Sequence, residues 1–257
     1  PAAEQRKAAA LNGVIGVCCW LTPTANMTES GKSQYDLGMD SAMQDHKSRF
    51  FELALRKGNL RFGSFTLKSG RISPYFFNAG GFDDGSSLSE LAACYADAIV
   101  ESRVAYDMLF GPAYKGIPLA AATAIALNDN HGLNIPYAFN RKEAKDHGEG
   151  GTIVGAPLKG RVLVIDDVIS AGTSMRESIG IIEHAGAETA GIAIALDRQE
   201  RGAGKRSAAQ EVQAEYNLPC ISIAGLDDLI QFLESRNEEG IDIGAIQAYR
   251  ERYGTQQ

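Results

Sequence analysis

Beyond residue 43, apolar and polar positions along the chain follow two alternating rhythms. HKSRFFELALRKG (46–58) sets Phe50, Phe51, Ala54 and Leu55 on one face at helical spacing and stops at Gly58, as an amphipathic helix closed by glycine would. SLSELAACYADAIVES (87–102) predicts a second helix, opened by a Ser87-x-x-Glu90 capping box and turning Leu88, Leu91, Ala92, Tyr95 and Ile99 to the core. YDMLFGP (106–112), IPYAFN (135–140), RVLVIDD (161–167) and TAGIAIALD (189–197) are short apolar runs ended by turn residues or charges, which reads as strands. Strands separated by helical stretches predict an α/β domain whose mainly parallel, twisted sheet is flanked by helices on both faces. No internal repeat or low-complexity linker interrupts it.

Residues 1–42 lack this periodicity. Their apolar segment, LNGVIGVCCWLTPTA (11–25), is too short and too broken by Gly and Pro to span a bilayer, and its flank EQRK makes a poor signal peptide. It reads as a poorly ordered appendage to one domain over 43–257. ESGKSQ (29–34) shares GKS with the phosphate-binding P-loop, but the loop's first glycine would fall on Asn26 and no strand precedes it.

Composition narrows the partners. With 257 residues, 44% of them hydrophobic, the chain fills one sizeable core. A net charge of -7 disfavours nucleic-acid and membrane partners, so an anionic ligand needs a local cationic site. Cys18, Cys19, Cys94 and Cys220 have neither metal-ligand spacing nor the density of a disulfide framework, which points to a reducing cytoplasm.

The chemistry concentrates in VLVIDDVISAGTSMRES (162–178). In open α/β sheets ligands bind beyond the carboxyl ends of the strands, where Asp166 and Asp167 stand. ISAGTS then enters a helix with apolar positions Met175, Ile179, Ile182 and Ala185, whose free N–H groups make a phosphate seat. Gly172 allows close backbone approach, and Ser170, Thr173 and Ser174 supply hydroxyls. Acids beside such a seat would repel phosphate unless they grip a ribose diol one sugar width away, where their charge can also stabilise a sugar cation. Successive strand residues face opposite ways, so the two acids converge only if the chain turns here.

Four other stretches supply complementary groups. FTLKSGRISPYFFNAG (65–80) offers the cations Lys68 and Arg71 and the flat faces of Phe76 and Phe77, one suited to stacking on a base and one to core packing. GPAYKGIPLA (111–120) holds Lys115 in a glycine-bounded turn fit to cradle pyrophosphate. NRKEAKDHGEGGTIVG (140–155) gathers Arg141, Lys142, Lys145 and His147 ahead of Gly148, Gly150 and Gly151, either a solvated hairpin or a lid on glycine hinges. ALDRQERG (195–202) puts Arg198 at the sheet's carboxyl edge, either to take a ligand carboxylate bidentately or to pair with Glu200.

Residues 162–174 resemble the phosphoribosyl pyrophosphate signature of the type I phosphoribosyltransferases, and 65–80, 111–120 and 140–155 resemble the orotate-using branch, over roughly 43–254. The resemblance implies a small N-terminal hood, a flexible lid hairpin, and ribose 5-phosphate transfer from phosphoribosyl pyrophosphate to orotate in pyrimidine (UMP) biosynthesis. It implies Mg2+ held mainly through substrate and water. Asp166 and Asp167 would take the ribose, and Val168, Ile169, Ser170, Ala171, Gly172, Thr173 and Ser174 the 5'-phosphate. Tyr114, Lys115, Arg141, Lys142, Lys145 and His147 would take pyrophosphate, with a strained peptide near Ala113 and Tyr114. Lys68, Phe76, Phe77 and Arg198 would serve the base. Catalysis would fall to Lys115, Lys145, His147, Asp166 and Asp167, with the lid crossing to the neighbouring subunit of a homodimer. Ser170 departs from the family's usual threonine but keeps the hydroxyl. The chain reads as monofunctional, without the Lys-Asp array of the decarboxylase fused to this activity elsewhere. Two alternatives stay open: a purine phosphoribosyltransferase would lack 65–80, and a non-catalytic phosphoribosyl pyrophosphate sensor acting on nucleic acid would show a basic surface and a degenerate lid.

Overall fold

The computed structural model describes residues 45–67, 69–145, 151–169, 172–202, 204–236 and 240–255; the expected appendage over 1–42 lies outside them. The first helix, α1 (His46–Arg56), is capped by the Asp45 side chain and buries Phe50, Phe51, Leu53 and Ala54, with Leu55 half-buried at the edge of its face. An antiparallel hairpin of β1 (Leu60–Thr66) and β2 (Ile72–Phe77) follows as a separate two-stranded sheet.

Helix α2 (Gly85–Ser102) begins earlier than the predicted capping box. Its N-cap is Asp84, whose carboxylate accepts from the Ser87 amide at 2.8 Å, while the Ser87 hydroxyl donates to the Asp84 carbonyl. Aspartate caps as well as serine, and the earlier start adds most of a turn, so Ser87 is buried inside the helix. Glu90 is then free to pair with Arg56. Leu91, Ala92, Tyr95 and Ile99 are buried as predicted, with Leu88 half-buried.

The remaining elements include the four predicted strands together with others that no apolar run had marked. They are β3 (Met108–Gly111), α3 (Gly116–His131), β4 (Tyr137–Lys145), β5 (Gly151–Gly155), β6 (Arg161–Ile165), α4 (Thr173–His184), β7 (Glu188–Asp197), α5 (Ala208–Tyr216), β8 (Cys220–Gly225), α6 (Leu226–Arg236) and α7 (Ile243–Tyr253). The main sheet has the order β5-β4-β3-β6-β7-β8, parallel throughout except for the antiparallel pair β4–β5.

Strand alternation assigns the two faces. In β6, Val162 and Val164 pack with Met108, Phe110, Met175, Ile179 and Ile182, while Leu163 and Ile165 join the larger cluster containing Leu91, Tyr95 and Leu127. All four β6 side chains are fully buried, each burial stabilising the fold by about 1.5–3 kcal/mol, which fixes the level at which the strand's last residues emerge. Ala185, predicted as a core position of α4, is instead its exposed C-cap, since the helix ends before its face comes round again.

Beyond β7 the chain is tied to the end of α7. Glu200 bridges Gly254, the Arg201 amide donates to the Tyr253 carbonyl, and the Thr255 amide donates to the Gln199 carbonyl, the last two at 2.8 Å.

Candidate active site

Asp166 and Asp167 leave the end of β6 still paired to β7: the Asp166 amide donates to the Ala193 carbonyl, and the Ala195 amide to the Asp167 carbonyl. Each acid is less than a tenth exposed. Their side chains keep the strand's alternation. Asp166 meets the Ser174 hydroxyl of α4 at 3.4 Å, and Asp167 meets Lys115, just ahead of α3, at 2.5 Å. The predicted turn is local: Asp166 Oδ1 bends forward to accept the Asp167 amide at 2.9 Å. From α2, the buried Tyr95 hydroxyl donates to the Asp166 carbonyl at 2.7 Å and so holds the peptide joining the two acids. Burial, with the Asp167 charge adding to it, pushes the Asp166 carboxyl up to about 6.

Turn 111–116 lies against this strand end because two of its residues lack side chains. A Cβ on Gly111 would stand 2.2 Å from the Gly116 carbonyl oxygen, and one on Gly116 would stand 2.7 Å from that of Ile165. The turn contains a cis Ala113–Tyr114 peptide, at the position where the resemblance implies an unusual one. The Asn140 side chain of β4 accepts from the Ala113 amide at 2.8 Å, bracing the turn from the far side. The Tyr114 ring is exposed, with the Lys142 ammonium 5.1 Å from its centroid.

Helix α4 starts at Thr173 behind Gly172, whose φ of 71° is left-handed and which makes no side-chain cap. Among the described residues no side chain caps the first-turn amides, and the acids do not serve as one.

The first shared span is broad: residues 87–220 match the phosphoribosyl transferase domain family. Over 214 residues the chain is 64% identical to the orotate phosphoribosyltransferase of Thioalkalivibrio sulfidiphilus, covering 82% of this chain and all of that one. The chain belongs to the orotate phosphoribosyltransferase family. It is also 58% identical to the Nitrosococcus oceani orotate phosphoribosyltransferase, across 83% of this chain and 98% of that protein. Among solved structures it resembles the orotate phosphoribosyltransferase of Francisella tularensis, with 42% identity, a TM-score of 0.73 and coverage of 80% of this chain and 99% of that one.

Within this orotate phosphoribosyltransferase fold, Tyr114, Lys115, Asp166, Asp167 and Ser174 come together at the carboxyl edge of the sheet. Arg141 and Lys142 lie on β4, whose pairing with β5 makes the 140–155 stretch a hairpin. Lys68, the Lys145 side chain, His147, Ser170 and Ala171 lie outside the described residues. The phenylalanine pair divides by strand alternation. Phe77 packs edge-on against Phe50 and joins the core, while Phe76 stacks near Phe65 under the Arg61 guanidinium. Arg198 is held by Glu200, Ser73 and the Tyr75 ring, and makes no contact with the two acids.

Sequence reading missed Tyr95 and Asn140, which act through contacts 71 and 27 residues away. Tyr95 looked like one more apolar position of its helix. Its hydroxyl was the available signal, because a buried phenol needs a partner.

Proposed function

We infer that the protein transfers ribose 5-phosphate from phosphoribosyl pyrophosphate to N1 of orotate, giving orotidine 5'-monophosphate and pyrophosphate, a step in making pyrimidine nucleotides. The observation that carries this reading is the buried acid pair at the end of β6, set between the Lys115 turn and the uncapped start of α4.

Asp166 and Asp167 accept hydrogen bonds from the ribose diol, and their negative charge favours the cation that develops at C1' as pyrophosphate leaves. The first-turn amides of α4, with Thr173 and Ser174, take the 5'-phosphate. Lys115 has a side chain 56% exposed, so it can swing from Asp167 to the pyrophosphate, which frees that carboxylate for the sugar. Orotate N1, its proton already released to solvent, forms its bond to C1' from the opposite side as the bond from C1' to the pyrophosphate oxygen breaks. Arg141, Lys142, Lys145 and His147 neutralise the leaving group, His147 either by its charge alone or by also donating a proton to it.

The donor set also suits Mg2+. Among the described residues no cluster of three or more His, Cys, Asp or Glu forms a protein cage, whereas the two acids can contribute one or two oxygens beside those of substrate and water. When bound, Mg2+ supplies positive charge to the pyrophosphate oxygens. The hairpin's cations suit a site completed by the neighbouring subunit, so we read the active form as a homodimer. Among the described residues no helix is long and apolar enough to cross a membrane. The free Cys94 and Cys220 accord with a reducing cytoplasm, and the acidic chain with an absence of nucleic-acid partners.

The test offers the purified protein phosphoribosyl pyrophosphate and Mg2+ with orotate, uracil, adenine, hypoxanthine or guanine in separate reactions. Orotate absorbance should fall as product forms. Turnover of a purine without turnover of orotate would overturn the reading.

A further inference from the structure

The Arg198 guanidinium is fixed on three sides. Nε and Nη2 both donate to one oxygen of Glu200, at 2.8 and 2.5 Å. Nη2 also reaches the Ser73 hydroxyl oxygen at 3.3 Å, and that hydroxyl commits its own proton to the Tyr75 carbonyl at 2.7 Å, leaving its oxygen to accept. The Tyr75 ring lies 4.5 Å from the guanidinium carbon. Glu200 is anchored in turn by the Tyr75 hydroxyl at 3.4 Å, by Arg71 at 4.0 Å and by its bridge to Gly254. The side chains of Arg198 and Glu200 are 23% and 13% exposed, so this is not the loose solvated pair that the spacing Arg-x-Glu suggests. Nε and Nη2 are thus occupied, Nη1 donates no hydrogen bond of normal geometry among the described residues, and the Tyr249 phenol stands beside both Arg198 and Glu200.

We propose that Glu200 is a positioning residue: it holds the Arg198 guanidinium against Ser73 and Tyr75 with the Nη1 edge presented to the carboxylate of the base. This deepens the functional reading above and rests on it. An arginine side chain loses much rotamer freedom when it binds, and a guanidinium already locked in place loses less. The same pair cancels much of the arginine's charge, so the two possible effects of Glu200 have opposite signs. If orientation governs, removing Glu200 weakens orotate binding. If charge cancellation governs, removing it tightens binding. Three hydrogen-bonding or stacking partners around one guanidinium favour orientation.

Steady-state kinetics distinguish the two. Glu200→Ala should raise KM for orotate about tenfold while kcat and KM for phosphoribosyl pyrophosphate stay within about twofold, because the affected contact lies on the base alone. Glu200→Gln retains an acceptor oxygen and should restore KM for orotate to within about threefold of wild type. Arg198→Ala should raise that KM at least as far, and the double variant Arg198→Ala/Glu200→Ala should be no worse than Arg198→Ala, since Glu200 acts through the arginine. Should Glu200→Ala fail to fold by circular dichroism, Ser73→Ala serves instead, with an expected rise of about two- to threefold. An unchanged or lowered orotate KM in the variant that folds, or additive losses in the double variant, would overturn the proposal. A wild-type protein without turnover on orotate would instead overturn the functional reading itself.

Discussion

Strands β6 and β7 lie side by side in the sheet and finish at the same edge, but their ends are electrostatically opposite. At the end of β6 two buried acids stand with one lysine, which is paired to Asp167 and is itself more than half exposed. Just past β7, Arg198 is matched by Glu200 and boxed in by Tyr75 and Ser73. The first end keeps an excess of charge in a poorly solvated place, as a site needs when positive charge must develop on a substrate. The second neutralises itself and keeps its geometry, as a site needs when it must tell one base from another. Under the proposed roles of these residues, neighbouring strands divide reactivity from selection.

The largest expected effect tests the excess charge. Asp167→Asn keeps the size and removes the charge, so kcat/KM should fall by about two orders of magnitude, roughly 3 kcal/mol, with the fold intact by circular dichroism. The same variant tests the shared lid. If Lys145 serves the neighbouring site, subunit exchange between inactive Asp167→Asn and Lys145→Ala homodimers should restore about one quarter of wild-type activity, from one intact site in the mixed half of the dimers. No recovery after demonstrated exchange would confine the lid to its own subunit.

A smaller effect is expected at Tyr95. Tyr95→Phe removes the donor to the Asp166 carbonyl without changing the packing, and denaturant unfolding should show a loss of about 1–2 kcal/mol. A loss confined to stability, with unchanged kinetics for phosphoribosyl pyrophosphate, would show that the phenol supports the strand but not the placement of the acids.

The smallest effect has a defined sign and window. Burial raises the folded-state pKa of Asp166 from an ordinary value of 3.8 to about 6. As pH rises from about 4 to about 6, the unfolded chain gives up this proton first, so ionising Asp166 lowers stability across that window and the cost is complete above it. Asp166→Asn should therefore be more stable than wild type at pH 7 to 8, by on the order of 1 kcal/mol, and should lose that advantage near pH 4. Thermal unfolding at the two pH values measures it. Arg198 remains charged over the whole range, whereas burial also raises the Asp197 carboxyl at the end of β7, which should add a dependence of the same sign.

Much of the fold was legible because parallel sheets are built from continuous apolar strands. VLVI could only be buried on both sides, and its two acids had to emerge where it stopped. The glycine-bounded turn and the small-residue loop were legible for a similar local reason, since close backbone approach requires missing side chains. The start of α2 was misplaced because Asp84 and Ser87 are both good caps, and only the surrounding structure chooses between them. The hold on Arg198 was half visible: Glu200 stood two residues away in sequence, but Ser73 and the Tyr75 ring came from 125 and 123 residues away, and no local pattern announces that meeting. Asn140 hid for the same reason, as a polar residue in a hairpin with no sign that its amide reaches the Ala113 turn.

The seam between residues 199–201 and 253–255 bears on how this enzyme could be rebuilt for another base. The arm that carries Arg198 and Glu200 is spliced to the last turn of α7 by backbone hydrogen bonds, and Arg71, just ahead of β2, stacks on Tyr253 in the same joint. A graft limited to residues 195–202 would leave the new arm facing an old β1–β2 hairpin and an old C-terminal turn. The transplantable unit is all three segments of the joint, residues 71–75, 198–201 and 249–255, moved together.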